Sequence, residues 1–153
     1  MGTSLIQLLP KVQENVVIAP YTTFKIGGPA RYFFVAESED DVLRAVFAAK
    51  EAEIPFFILG GGSNLLISDK GFDGLVIKIQ IADFRIQNLT LEAAAGVSMA
   101  TLVDETTKNG LGGLEWAGGL PGTLGGAIRG NAGAFKGEIK DTIQEVKALN
   151  THG

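Results

Sequence analysis

The residues of this chain best placed to do chemistry are glycines. Gly60, Gly61 and Gly62, followed by Ser63, Asn64 and Leu65, come directly after the apolar run Phe56-Phe57-Ile58-Leu59. A second segment runs through Gly118, Gly119, Leu120, Pro121, Gly122, Thr123, Leu124, Gly125 and Gly126, and closes soon after at Asn131, Ala132 and Gly133. Glycine permits positive φ and lets a ligand come close to the backbone. Successive backbone N–H groups turned to one side make a concave nest that holds an anion. One such loop reads equally well as a tight turn. Two of them in 153 residues point to an extended ligand with a polyanionic middle, of the dinucleotide kind. Gly61 is expected to take a φ that β-branched residues disfavour.

Side-chain chemistry is sparse by comparison. The chain has no cysteine, so it has no thiol nucleophile, disulfide or thiolate metal site. Its one histidine is His152, near the C-terminus, which excludes a multi-histidine metal centre and a Ser-His-Asp triad within the body of the chain. The Rossmann and P-loop fingerprints are both absent, and no helical pattern follows Gly62-Ser63-Asn64. Glu115, beside Trp116, is either a buried hydrogen-bonded acid or a cap or surface acid, and the second reading is favoured. Arg129 lies close enough in sequence to serve a phosphate but reads better as a surface arginine.

The elements that must carry these loops fall in two halves, 1–82 and 83–153. In the first, a helical turn over 4–9 is stopped by Pro10. Strands are expected at Val16–Ile18, Thr22–Ile26 and Arg31–Ala36. Ser38, with Asp41 three residues on and acids at Glu39 and Asp40, starts a helix. Val42, Leu43, Val46, Phe47 and Ala49 are expected on its inner face. Phe56–Leu59 reads as a buried strand and Leu75–Ile79 as another, which makes a βαβ unit. In the second half, Phe84–Gln87 and Leu91–Ala95 form a hairpin about Asn88. A helix then runs from Ser98 to Asn109-Gly110. Ten of the 21 glycines fall between Gly110 and Gly133, a density that suits a flexible linker. Leu111, Leu114, Trp116, Leu120, Leu124 and Ile128 are interleaved with them, however, so the stretch reads as an ordered loop folded onto the core. Thr142–Leu149 is expected to be a strand, followed by a hairpin turn over Asn150–Gly153 with no returning strand. That pattern points to a fragment cut at a loop.

Composition narrows the function classes. A net charge of −4 argues against a nucleic-acid surface. No apolar run approaches membrane-spanning length, and the N-terminus lacks the basic and apolar regions of a signal peptide. The absence of cysteine fits a cytoplasmic protein.

The motifs also carry a resemblance. Thr22-Thr23-Phe24-Lys25-Ile26-Gly27-Gly28-Pro29-Ala30, Leu59 through Leu66, Gly113-Leu114-Glu115 with Gly118 through Ala127, and Gly130-Asn131-Ala132-Gly133-Ala134-Phe135 stand in one order. In that order they resemble the signature segments of the UDP-N-acetylenolpyruvoylglucosamine reductase (MurB) family, from about Tyr21 to Leu149. The resemblance implies an α+β, two-lobed FAD-binding domain of the vanillyl-alcohol oxidase type. It implies noncovalent FAD, with NADPH as co-substrate and a UDP-sugar enolpyruvyl ether as substrate. The product would be UDP-N-acetylmuramate, for peptidoglycan synthesis. Its cofactor-binding residues would be Gly60, Gly61, Gly62, Ser63, Asn64, Leu65, Gly118, Gly119, Pro121, Gly122, Thr123, Gly125, Gly126, Asn131 and Ala132. The pyrophosphate is expected on N–H groups of residues 61–64 and 122–126. The family's Arg, Ser and Glu of catalysis have no counterpart here, so no catalytic residue is carried over, and this chain alone is expected to be inactive. Arg129 and Phe135 stand where the family often has a large neutral side chain and Tyr. Two alternatives stay open: another FAD-dependent oxidase or dehydrogenase of the same fold, and a non-catalytic binding module. No oligomeric state follows from the sequence.

Overall fold

The computed structural model describes residues 4–150. The chain forms two compact units, Met1–Ile81 and Ala82–Gly153.

The first unit is built on a four-stranded sheet. Its strands are β1 (Gln13–Val17), β2 (Pro29–Ala36), β3 (Phe56–Leu59) and β4 (Phe72–Ile79), in spatial order β1-β2-β4-β3. The sheet is parallel except where β1 meets β2. Between β2 and β3 runs helix α2 (Glu39–Glu51), the crossover that parallel pairing requires. Its start is set as the sequence predicts, with the Ser38 hydroxyl accepting from the Asp41 N–H at 3.1 Å. Its inner face differs from the expected one. Ala45, Val46, Ala48 and Ala49 are buried, whereas Phe47 is exposed. Phe47 lies one residue, or about 100°, from Val46 and so falls off the stripe that Val46 and Ala49 define. The buried stripe packs on Tyr32, Phe34, Ala36, Leu75, Ile77 and Ile79, together with Leu5 of the short helix α1 (Leu5–Leu8).

A second core covers the opposite sheet face. It holds Ile18, Ala30, Phe33, Leu59 and Val76, with Leu65 and Ile67 packed against it. Ala30 and Phe33 both belong to this core, and between Ala30 and Tyr32 the register shifts by one extra residue on β4. With both faces covered, β2 and β4 read as near-continuous apolar runs.

Two expected strands change character here. Thr22–Ile26 is not a strand: the chain turns through a 3₁₀ segment, Ala19–Tyr21, and then a bend. The buried Thr22 hydroxyl, bonded to the carbonyls of Ala19 and Ile26 at 3.1 Å each, offers the backbone an alternative to a ladder. Strand β3 forms where expected but lies at a sheet edge. Phe57 and Ile58 are therefore exposed, and only Leu59 is fully buried.

The second unit contains the hairpin β5 (Phe84–Gln87) and β6 (Thr90–Ala93) and helix α3 (Met99–Lys108), capped by Ser98. The glycine-rich stretch is ordered. It contributes a 3₁₀ turn at Glu115–Ala117 and a short helix α4 (Leu124–Gly130), neither of which the sequence announced. Leu114, Trp116, Leu120, Leu124 and Ile128 pack around Val97, Met99, Leu102, Ala117 and Ile139. A small hairpin, β7 (Gly133–Ala134) and β8 (Gly137–Glu138), follows. Among the described residues no strand follows it, so the expected Thr142–Leu149 strand is absent. Ile143, Val146 and Leu149 recur every three residues, which is not the period of a strand. The turn expected over 150–153 lies largely outside the described residues.

Candidate functional site

In the first unit the glycine loop leaves the C-terminal end of β3. Two of its carbonyls are tied down. The Gly60 oxygen accepts from the Lys78 ammonium at 2.5 Å, and the Gly62 oxygen accepts from the Thr23 N–H at 3.1 Å. In a trans peptide unit C=O and N–H point opposite ways. The N–H groups of Gly61 and Ser63 therefore point away from these two tethers, which is how a nest begins.

The residue in a left-handed conformation is Gly62, with φ of +67°, and Gly61 is not in that region. This corrects the expectation for Gly61. A β-carbon on Gly62 would run into the Tyr21 carbonyl. Gly62 thus lets the loop close on the Tyr21–Thr23 turn, while Gly61 lines a cavity of about 260 Å³ with Pro20, Tyr21, Thr22, Thr23, Lys25 and Lys78.

The paired glycines Gly27 and Gly28 also answer to packing. Gly28 abuts the Asp69 carbonyl, and Gly27, at φ +144°, lies against Ile67. Both pull the Thr22–Ala30 segment onto the loop that follows Leu65. Lys25 sits at φ +56° with its ammonium on the Pro20 carbonyl at 3.0 Å.

Lys78 is the site residue that sequence reasoning missed. It stands in β4 between Ile77 and Ile79, paired with Val35 on one side and Leu59 on the other. Burial pushes its ammonium below the usual lysine range. The one signal was a cation inside the apolar run Leu75–Ile79. Lys25 and Lys78 both line the cavity beside the glycine loop, and Lys25 brings to it a positive charge that favours an anion.

In the second unit the glycine segment is largely occupied with its own architecture. The Leu124 N–H donates to the Val97 carbonyl and the Gly125 N–H to the Ala95 carbonyl, each at 2.8 Å. Those two donors are not available to a ligand, which narrows the 122–126 nest expected from the sequence. Gly125 packs so closely on Ala95 that a β-carbon would lie 2.8 Å from the alanine methyl. Gly119 and Gly122 have positive φ, at +85° and +108°. Thr123 carries a buried hydroxyl with no hydrogen-bond partner among the described residues. An orphaned buried hydroxyl costs on the order of 1–3 kcal/mol, which a partner would remove.

Asn131 and Ala132 have structural partners. Asn131 ends α4 at φ +44°, and its amide donates to Glu138 at 2.9 Å. The Ala132 N–H donates to Ala127, and its carbonyl accepts from the Ile139 N–H. Gly118 lies at the end of the 3₁₀ turn, where its N–H donates to the Glu115 carbonyl. Glu115 is exposed and accepts from the Gly113 N–H at 2.7 Å. Hydrogen bonds from its own N–H and that of Gly113 hold its carboxyl below the usual range. Arg129 is exposed.

A sequence model of the FAD binding domain matches residues 30–153. The chain belongs to the FAD binding domain family. It is 44% identical over 135 residues to the UDP-N-acetylenolpyruvoylglucosamine reductase of Alkaliphilus oremlandii, covering 87% of this chain and 44% of that protein. The reductase of Syntrophomonas wolfei is 38% identical, over 100% of this chain and 52% of its own length. A solved UDP-N-acetylenolpyruvylglucosamine reductase from Thermus caldophilus superposes with a TM-score of 0.70 at 38% identity, over 84% of this chain and 45% of that one. The chain spans about half the length of the relatives it matches. Mixed helix and sheet on this scaffold is the α+β FAD-binding fold.

Proposed function

We propose that this chain is the FAD-binding part of a UDP-N-acetylenolpyruvoylglucosamine reductase, with its two units as the two lobes of the cofactor domain. The observation that carries this reading is the Gly60–Asn64 loop at the C-terminal end of parallel strand β3. Its Gly60 and Gly62 carbonyls are tied to Lys78 and Thr23, which turns the N–H groups of the same peptide planes the other way, and two lysines stand beside it. Parallel α/β sheets hold ligands at the carboxyl ends of their strands.

The residues fit the group. Gly61 would offer its N–H to the pyrophosphate, with Gly60, Gly62, Ser63, Asn64 and Leu65 shaping the loop. Thr123, whose hydroxyl lacks a partner among the described residues, together with Gly118, Gly119, Pro121, Gly122 and Gly126, would serve from the second unit. Gly125, Asn131 and Ala132 would support those residues through the contacts they make. FAD, when bound, supplies the redox chemistry. This chain's own residues bind and orient it, and none of them is assigned a catalytic role. NADPH as co-substrate, a UDP-sugar substrate, a place in peptidoglycan synthesis and a cytoplasmic location come with the reading. Among the described residues no helix is long and apolar enough to cross a membrane.

The test is an absorbance spectrum of the purified protein before and after adding FAD, with mass spectrometry of the released ligand. A flavin spectrum and released FAD are expected. A colourless protein that FAD does not reconstitute would favour the non-catalytic module.

A further inference from the structure

Lys78 is placed where an aliphatic residue would serve the core better. It lies in a central strand, flanked by Ile77 and Ile79 and paired with Val35 and Leu59. Its side chain shares the sheet face of Val76, which belongs to the second core. Among the described residues it has no carboxylate partner. The side chain is half-buried, and withdrawing an ammonium even partly from water is costly unless something is gained from it. What it makes is one short bond, Nζ to the Gly60 carbonyl at 2.5 Å, eighteen residues away in sequence.

That bond lands on the one part of the site least able to hold itself. Gly60, Gly61 and Gly62 stand in succession, and glycine loses more conformational freedom on ordering than any other residue. A free three-glycine loop would have to be ordered when ligand binds, at a cost to affinity. The Gly60 carbonyl and the Gly61 N–H belong to one rigid peptide plane. Fixing the carbonyl fixes the direction of that N–H. Thr23 does the same for the plane of Gly62 and Ser63 from the other end.

We infer that Lys78 is a positioning residue. Its ammonium clamps the Gly60 carbonyl, sets the Gly61 N–H toward the bound pyrophosphate, and keeps the loop ordered before ligand arrives. This inference rests on the FAD-binding reading above. Lys78 acts through the backbone plane and is not a direct counter-charge.

The experiment titrates FAD by flavin fluorescence into wild type, K78M and K78Q, at low and at high salt, alongside thermal melts without ligand. Methionine keeps the apolar stem without the donor. Glutamine is one atom shorter, uncharged and polar, which guards against a variant that does not fold. No FAD binding by wild type would refute the functional reading itself. With wild type binding, both variants are expected to bind about ten- to a hundredfold more weakly, the worth of a hydrogen bond from a charged donor. The ratio to wild type should be the same at both salt levels, and the apo melts should stay close to wild type. Hydrogen exchange at Gly61–Asn64 should speed up in the ligand-free variants. Unchanged affinity, or a loss that vanishes at high salt, would overturn the inference. The first outcome means the loop needs no clamp, and the second means that Lys78 works as a screened charge.

Discussion

The α-carbon of Gly62 lies so close to the carbonyl of Tyr21 that no β-carbon fits between them, and its φ is +67°. The neighbouring Gly61 has no such constraint on φ and faces the cavity. The two glycines should therefore fail differently. Gly62→Ala forces a left-handed alanine into backbone and should destabilise the apo protein by ~2–4 kcal/mol. Gly61→Val should leave the apo melt nearly unchanged and weaken FAD binding, because its methyls enter the space where ligand would meet backbone. Thermal melting and FAD titration of both variants separate the two. Normal affinity in Gly61→Val would remove this loop from the site.

Flavin should be held without a covalent bond. Cysteine is absent and His152 is the sole histidine. Acid precipitation of a loaded sample should leave all flavin in the supernatant, and yellow colour in the pellet would contradict this.

The Glu138 carboxyl sits below the usual carboxylate range because Lys140 hydrogen-bonds it, with Asn131 adding a second bond. A carboxyl lowered on folding contributes stability above the usual carboxylate pKa, and that contribution fades as pH falls through the folded value. Glu138→Gln should thus be less stable than wild type at about pH 7, with the gap narrowing towards about pH 3, below the ordinary carboxylate range. Urea unfolding at both pH values reads the gap. A constant difference would mean that the side chain matters by shape alone.

Self-association, where it occurs, should run through β3. Phe57 and Ile58 are exposed on a strand that forms one edge of its sheet, and such edges recruit other chains. Ile58→Lys should raise the monomer fraction in concentration-series light scattering. Equal association in the mutant would acquit this edge.

Sequence reading reached the elements whose signals are local. Ser38 and Ser98 cap helices as their spacing required, and the apolar periods found β2, α2 and β4. It failed where a distant partner decides. Nothing near Phe57 and Ile58 in the chain says that β3 will be an edge. Thr22–Ile26 has strand-forming residues, but a threonine hydroxyl bonded to two carbonyls turns it aside. The glycine loops were evident, while their division of labour was not. Gly62 answers to Tyr21, Gly125 to Ala95 and Gly28 to Asp69, and each of those contacts is long-range. Lys78 went unread for the same reason, since its significance is a carbonyl eighteen positions earlier.

The packing of Trp116 has a practical side. Its indole is pressed against Gly137, where no β-carbon would fit, and its Nε1–H donates to the Gly113 carbonyl at 3.1 Å. It is the single tryptophan of the chain, and both tyrosines, Tyr21 and Tyr32, belong to the first unit. The protein thus carries a built-in pair of spectroscopic labels. Excitation selective for indole follows the melting of the second unit, and the tyrosine signal follows the first. Whether the halves unfold as one cooperative body or in sequence can be read from a single unmodified sample, by asking whether the two colours change together.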